Sequence, residues 1–421
     1  MRQKRNTTLG FYSPSFLRMH VGTNEDLTNL NVINDDLVES VYLHEYCHFI
    51  QDVTTIYGLS NICITVDYMK FANNHVIQLP KGKFSVPVLP VPNSPDNVHT
   101  NLSLSSIYNG SGEDDIVVLT GHKKMTRNIS QLNVPYVEVD YTIQSGQTLS
   151  FEFGALCIVE NMAYIIESEC YPNCYLSPDL PYTSAEKLVD LIFPQLGQNR
   201  LNVLALCDAS LMAMNPGPFF YDTLLRIKNN KIPINRPEDI YQLCYQAIFN
   251  FHGATNINAL FTKIGNDAIA QIKGYFNDVQ FQPLKDWLEN MIVQAINFRK
   301  NNPYFSLDMA RNGKIPGNRI FSAFMSSVGT PLVTNEIGQT TLYDPRPVAV
   351  RPNYSTIWAI DQIHSVFWGD QRHCELVGLC CASNIAVDMR CTTEPWARNL
   401  DPTCAFGQMW RHWALTGYMP K

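Results

Sequence analysis

Leu43-His44-Glu45-Tyr46-Cys47-His48-Phe49-Ile50-Gln51-Asp52 is the stretch from which the rest of the chain is best read. It contains an H-E-x-x-H motif, and its flanks have helical character. Two histidines four apart on a helix lie one turn above each other on the same face, so both imidazoles can reach one metal ion. Glu45, beside the first of them, is placed to touch a water held on that metal. The five-residue pattern alone arises by chance in roughly one chain of this length in a hundred, so its context has to decide. Asp36 and Glu39 form a D-x-x-E capping pattern ahead of the apolar run. Leu37, Val38, Val41, Tyr42, Phe49, Ile50, Val53 and Ile56 recur mostly three or four apart, and no proline interrupts Leu37 to Tyr57. The spacing predicts one helix with the motif at its middle and Gly58 as its stop.

A catalytic zinc takes three protein ligands and keeps a fourth position for water. A third histidine of the metzincin kind would require Gly at position 51 and His at 54; the chain has Gln51 and Thr54. A glutamate on a second helix is the other common solution. Phe153 to Glu167 reads as a nearly apolar, buried helix with Glu160 at its centre, and a carboxylate there is costly unless paired or bound to metal. Glu160 is the expected third ligand, with Glu167, Glu169 and Glu152 as alternatives. Glu167, two turns along the same face, could orient a ligand histidine. Small Ala163 allows the two helices to approach closely.

The pairing of His44-Glu45-x-x-His48 with Glu160-x-x-Ala163 resembles the gluzincin branch of the zinc metallopeptidases. That resemblance implies His44, His48 and Glu160 as zinc ligands and Glu45 as general base. It covers the two helices and none of the remaining chain. The interval from His48 to Glu160 is longer than in compact members, and Tyr164 stands where an E-x-x-x-D form would have its aspartate.

Zinc held by two neutral histidines and a carboxylate lowers the pKa of its water to about 7. Glu45 would take that water's proton and pass it to the leaving amine. Gln51 and Asp52, three and four residues past His48, are candidates to accept a ligand's free ring N–H. Tyr164, His364, Arg411 and His412 are candidates on residue type for stabilising a developing oxyanion. The expected function is hydrolysis of peptide bonds in a protein or peptide substrate by a zinc-activated water. Two rivals differ in class: a non-catalytic protein whose helices are held by metal or plain packing, and a latent protease opened by an activating protein partner in a toxin or defence assembly.

At 421 residues, with 45 % apolar residues, the chain can bury a large core. Charged residues make up only 16 %, against about 25 % in an average protein, and the net charge of −7 argues against a nucleic-acid partner. Met1-Arg2-Gln3-Lys4-Arg5 is followed by Asn6-Thr7-Thr8-Leu9-Gly10 rather than an apolar run, so no signal peptide is read there. No stretch is long and apolar enough for a membrane span. Of the twelve cysteines, Cys47, Cys157, Cys207 and Cys244 sit in helical apolar patterns, so reduced thiols and a cytoplasmic address are expected. Cys374, Cys380, Cys381, Cys391 and Cys404, with His373, form a denser group. It lacks a C-x-x-C pair, so spacing does not point to a second zinc site.

The expected fold class is α+β, a mainly helical zincin-like core with a β-rich insertion between the two metal-binding helices. Residues 1–180 would form the catalytic region, opening with short strands and turns. The insertion would run from about 59 to 150, carrying strand-like runs Asp115–Leu119 and Tyr136–Tyr141 and bordering the cleft as a lid or a passive decoration. Residues 181–302 read as helices, with Thr183-x-x-Glu186 capping one, Pro237 opening another and Leu284–Phe298 forming a third. Residues 303–421 are mixed: a hairpin around Ile337-Gly338, then helical patterns at Ile357–Phe367, Leu376–Ala382 and Ala405–Leu415.

Overall fold

The computed structural model describes residues 9–30, 33, 35–92, 97–112, 118–143, 145–174, 180–246, 253–348, 350–369, 373–398 and 403–421. The basic start at Met1–Arg5 and the Asp115–Val117 part of one expected strand lie outside these. Strands β1 (Gly10–Ser13) and β2 (Arg18–Val21) lead to α1 (Asp36–Thr54), which carries the motif. Asp35 caps α1, its carboxylate accepting the Leu37 N–H at 2.8 Å. The cap is therefore one residue earlier than the D-x-x-E pattern suggested. Glu39 is not free for a capping box: it accepts the Tyr171 hydroxyl at 2.6 Å.

The motif helix also ends sooner than its apolar pattern. Thr55 adopts an extended conformation after Thr54 and caps a second helix, α2 (Ile56–Gln78), by accepting the Gly58 N–H at 3.0 Å. Gly58 is thus no stop. It lies in the first turn of α2, where an added Cβ would stand 2.4 Å from both Cα and O of Asp52. The bend brings the two helix backbones together so tightly that only glycine fits. The insertion expected from about 59 consequently begins as helix.

After β3 (Gly82–Phe84) and α3 (Val98–Asn109) come β4 (Val118–Ile129), β5 (Leu132–Thr142) and β6 (Thr148–Phe153), an antiparallel sheet in the order β4-β5-β6. Gly154 then opens α4 (Ala155–Cys170). Helices α5 (Ser184–Ile192), α6 (Pro194–Gly197), α7 (Arg200–Ser210), α8 (Pro216–Asn229), α9 (Glu238–Tyr245), α10 (Ile257–Tyr275), α11 (Gln282–Asn301), α12 (Phe305–Arg311) and α13 (Arg319–Val328) follow. The three-stranded sheet is fastened to α8: the Tyr221 hydroxyl meets His122 Nδ1 at 2.8 Å, Lys124 pairs with Asp222 at 2.6 Å, and Asn215 donates to the Pro135 carbonyl at 2.9 Å.

β7 (Leu332–Asn335) and β8 (Thr340–Thr341) form the hairpin around Ile337-Gly338. β7 runs parallel to β2, which makes a four-stranded sheet in the order β1-β2-β7-β8. The chain closes with α14 (Tyr354–Trp368), α15 (Val377–Ala382), α16 (Arg390–Thr393), α17 (Ala405–His412) and β9 (Tyr418–Pro420), the last pairing parallel with β3. The class is α+β with helix predominant. One apolar cluster runs continuously from Tyr12 to Tyr418, so the three sequence regions share a core. Among the described residues no helix is long and apolar enough to cross a membrane.

Gly58→Ala is expected to lower stability by at least about 2 kcal/mol, because the clash is with backbone and cannot relax by a rotamer change. Urea unfolding measures it, and an unchanged midpoint would refute the tight bend.

Candidate metal centre

α1 sets His44 and His48 one turn apart, with ring centroids 5.0 Å apart. α4 packs across α1 and brings Glu160 to both rings. Its Oε2 lies 3.3 Å from His44 Nε2 and 3.4 Å from His48 Nε2. The three donor atoms gather within 4.8 Å of one another. Ligands about 2.0–2.1 Å from a tetrahedral zinc stand about 3.3 Å apart along the tetrahedron's edge. The residues fit a divalent ion.

The opposite ring nitrogens are also held. His44 Nδ1 donates to Glu167 Oε2 at 2.9 Å, a buried carboxylate that can only accept when ionised. His48 Nδ1 lies 2.9 Å from Gln51 Oε1, while Gln51 Nε2 donates to the Val159 carbonyl at 2.9 Å. Because that carbonyl can only accept, the amide's orientation is determined, and its oxygen takes the His48 Nδ1–H. Both Nε2 atoms therefore face Glu160 and are the nitrogens a metal would take once their protons are released.

Burial works against charge on His44, but the hydrogen bonds to Glu160 and Glu167 outweigh it and hold the ring well above the ordinary histidine value. His48 is raised too, burial again being opposed by Glu160. Burial would raise Glu160, yet His48 and His44 hold it well below the usual carboxylate range. Both rings thus favour the protonated form in this arrangement, and a metal taking Nε2 would displace those protons.

Glu160 is steadied from behind. Its neighbour Asn161 accepts the Glu186 N–H and donates to the Glu186 carboxylate, both at 2.9 Å, so Asn161 ties α4 to the first turn of α5. Thr183, expected to cap that helix, makes no side-chain cap bond. Arg200 pairs with Glu186 at 2.6 Å and lies over the Tyr164 ring, 5.6 Å from its centroid.

Several expected residues are engaged elsewhere. Asp52 does not reach a ligand histidine. It accepts the Tyr12 hydroxyl at 3.0 Å and the Ser15 N–H at 2.7 Å, because the β1–β2 turn crosses the end of α1 there; burial pushes its carboxyl up to about 6. His364 sits in an aromatic nest with Phe16, Tyr68 and Trp368, and its Nε2 accepts the Trp368 indole N–H at 2.8 Å. His412, on α17, meets Gln280, Asp278 and Phe281. Tyr164 lies one turn past Glu160 on α4, its ring against Tyr182 and Arg200. Glu169 turns toward Arg200 and Glu152 toward Arg127, so neither joins the histidines. Tyr182 was not anticipated: its ring centroid is 5.8 Å from that of His44 and 6.4 Å from that of Tyr164. Tertiary packing carries it there, and no local spacing marks it.

Glu45 projects from α1 toward β1, where an added Cβ on Gly10 would approach its Cγ to 3.0 Å. Glu45 and His44 are only 8 % and 7 % exposed. Comparison of the chain with protein-family models, with curated proteins and with solved structures finds no match.

Gln51→Leu should weaken metal affinity about 10- to 100-fold, whereas Asp52→Asn should leave it unchanged and lower stability instead; equal affinities for Gln51→Leu and the parent would remove Gln51 from the centre. A second expectation concerns acid stability. Burial depresses His364 to about 3, so below pH about 6.5 the unfolded chain takes up a proton that the native chain refuses until about 3. Stability from this group is therefore complete above pH 6.5 and falls by about 1.4 kcal/mol per pH unit on acidification. Denaturation across pH 3–7 should show a shallower slope in His364→Gln, and identical slopes would contradict a neutral His364.

Proposed function

We propose that the chain is a zinc-dependent peptidase of the gluzincin kind, with a zincin-like core built on α1, α4 and the β1-β2-β7-β8 sheet. The observation that carries this reading is the convergence of His44 Nε2, His48 Nε2 and Glu160 Oε2, with Glu45 beside them and outside the donor set. Bound there, zinc would activate a water and polarise a substrate carbonyl.

This chain's own residues have distinct tasks. His44, His48 and Glu160 hold the ion. Glu167 and Gln51 keep both imidazoles in the tautomer that offers Nε2. Glu45 accepts the proton of the attacking water on its carboxylate and returns it to the leaving amine. Tyr182, its ring against His44, is the group we assign to the negative charge that develops on the carbonyl oxygen. β1 is an edge of its sheet among the described residues and passes Glu45 at Gly10. An extended peptide pairing with such an edge would have its backbone run over the centre. The near-complete burial of His44 and Glu45 favours one variant of this reading, a latent enzyme opened by a protein partner.

Glu45→Gln is expected to keep the metal and abolish cleavage of an unfolded protein or peptide library by the zinc-loaded chain. Tyr182→Phe should keep the metal and lose about 10²- to 10³-fold in turnover. A metal-loaded parent that cleaves nothing, alone or with cell extract added, would leave a helix pair held by metal as the better account.

A further inference from the structure

A cavity of about 320 Å³ lies where α9 and α11 end and α10 and α12 begin, and none of His44, Glu45, His48 or Glu160 lines it. Small-molecule sites run from about 300 to 1,000 Å³, so this space suits a metabolite of modest size.

Three tyrosines line it. Tyr241 stands edge-on to Tyr245 and to Tyr304, with ring centroids 5.8 and 5.3 Å apart. Such rings offer apolar faces and edges to a base or a sugar ring. The polar lining is rich in donors. Tyr245 accepts Arg299 Nη2 at 3.2 Å through its hydroxyl oxygen, and burial keeps that hydroxyl protonated, so its own hydrogen is left to donate. Gln242, Gln246 and Asn258 are exposed, and their side-chain amides make no hydrogen bond among the described residues.

Two cations, Arg299 and Lys300, line the cavity among the described residues, and no carboxylate does. Arg299 is only 3 % exposed, and its Nε has no hydrogen-bond partner. Asp208 balances it from outside the lining, with one oxygen taken by Arg299 and the other by the Tyr241 hydroxyl, each at 2.7 Å. Lys300 has no such counter-ion among the described residues. In a chain of net charge −7, a space with cations, several donors and no carboxylate favours an anion.

We propose that this cavity binds a small phosphate monoester carrying a ring, a nucleoside or sugar monophosphate. The terminal oxygens of a phosphate are strong acceptors that suit several donors at once, Lys300 among them. The ring lies against the tyrosines. Arg299 also reaches Thr54 Oγ1 at 3.4 Å, so a ligand here would steady the last turn of the motif helix. The proposal stands independently of the peptidase reading.

The test is isothermal titration calorimetry on the full chain, freed of metal with EDTA. The probes are adenosine monophosphate, uridine monophosphate, ribose 5-phosphate and inorganic phosphate. We expect at least one ring-bearing probe to bind with Kd below about 1 mM. Lys300→Glu, a change at an exposed position, should weaken that binding about tenfold or more. Tighter binding of a nucleotide assigns the site to nucleotides, and binding of ribose 5-phosphate at least as tight assigns it to sugar phosphates; either supports the proposal. Failure of all three ring-bearing probes, inorganic phosphate matching the best of them, or an affinity unaltered by Lys300→Glu would overturn it.

Discussion

The meeting of the Glu160 carboxylate with two imidazoles is the constraint on which the rest of the architecture turns. A carboxylate on an apolar helix costs several kcal/mol unless something answers it, and here both answers come from α1, at 3.3 and 3.4 Å. The register between α1 and α4 is thereby dictated. A slip of one residue on either helix would rotate its side chains by about 100° and strand the charge. The neighbouring contacts enforce the same register: His44 with Glu167, Gln51 with the Val159 carbonyl and Tyr171 with Glu39 are all bridges between the same two segments. Each answers a buried polar group on one segment with a partner on the other.

The far end of α1 is anchored by a different interaction. Arg299 on α11 pairs with Asp208 on α7 at 2.7 Å, both almost fully buried, and reaches Thr54 Oγ1 at 3.4 Å. Removing one partner of such a pair leaves a buried charge uncompensated, which is why both partners must be in place. Together with the turn at Thr55 and Gly58, this fixes where the motif helix stops and how α2 departs. The helical region from α5 to α11 is thus the support against which the motif helix is braced.

How much of this was legible depended on the range of the forces involved. The motif and Glu160 could be read because helical spacing is local and a carboxylate in an apolar run is conspicuous. The hairpin at Ile337-Gly338 and helices α11, α14 and α17 could be read for the same reason. The bend at Thr55 could not, because the apolar period passes through it unbroken and only the approach of Gly58 to Asp52 reveals it. Asp52 and Gln51 are indistinguishable by spacing, and what separates them is the β1–β2 turn beside one and α4 beside the other. His364 and His412 are suitable in residue type, but tertiary packing commits them to aromatic and polar neighbours. Tyr182 reached His44 by the same route, unannounced.

The cysteine group makes the point in reverse. Cys374, Cys380, Cys391 and Cys404 are spread along 31 positions of sequence and sit in separate elements, yet they line one common space. That region is joined to the sheet beside α1 by direct contacts. Glu375, next to Cys374, receives Arg18 Nη2 at 2.7 Å, and the same arginine donates to Asp361 on α14 at 2.6 Å. Arg18 belongs to β2, which pairs with β1, and β1 passes Glu45 at Gly10. Whatever positions Cys374 therefore also positions the residue that holds β2 in place. Such a chain of contacts transmits position, not necessarily energy, and it ends at the sheet edge that packs against the buried Glu45.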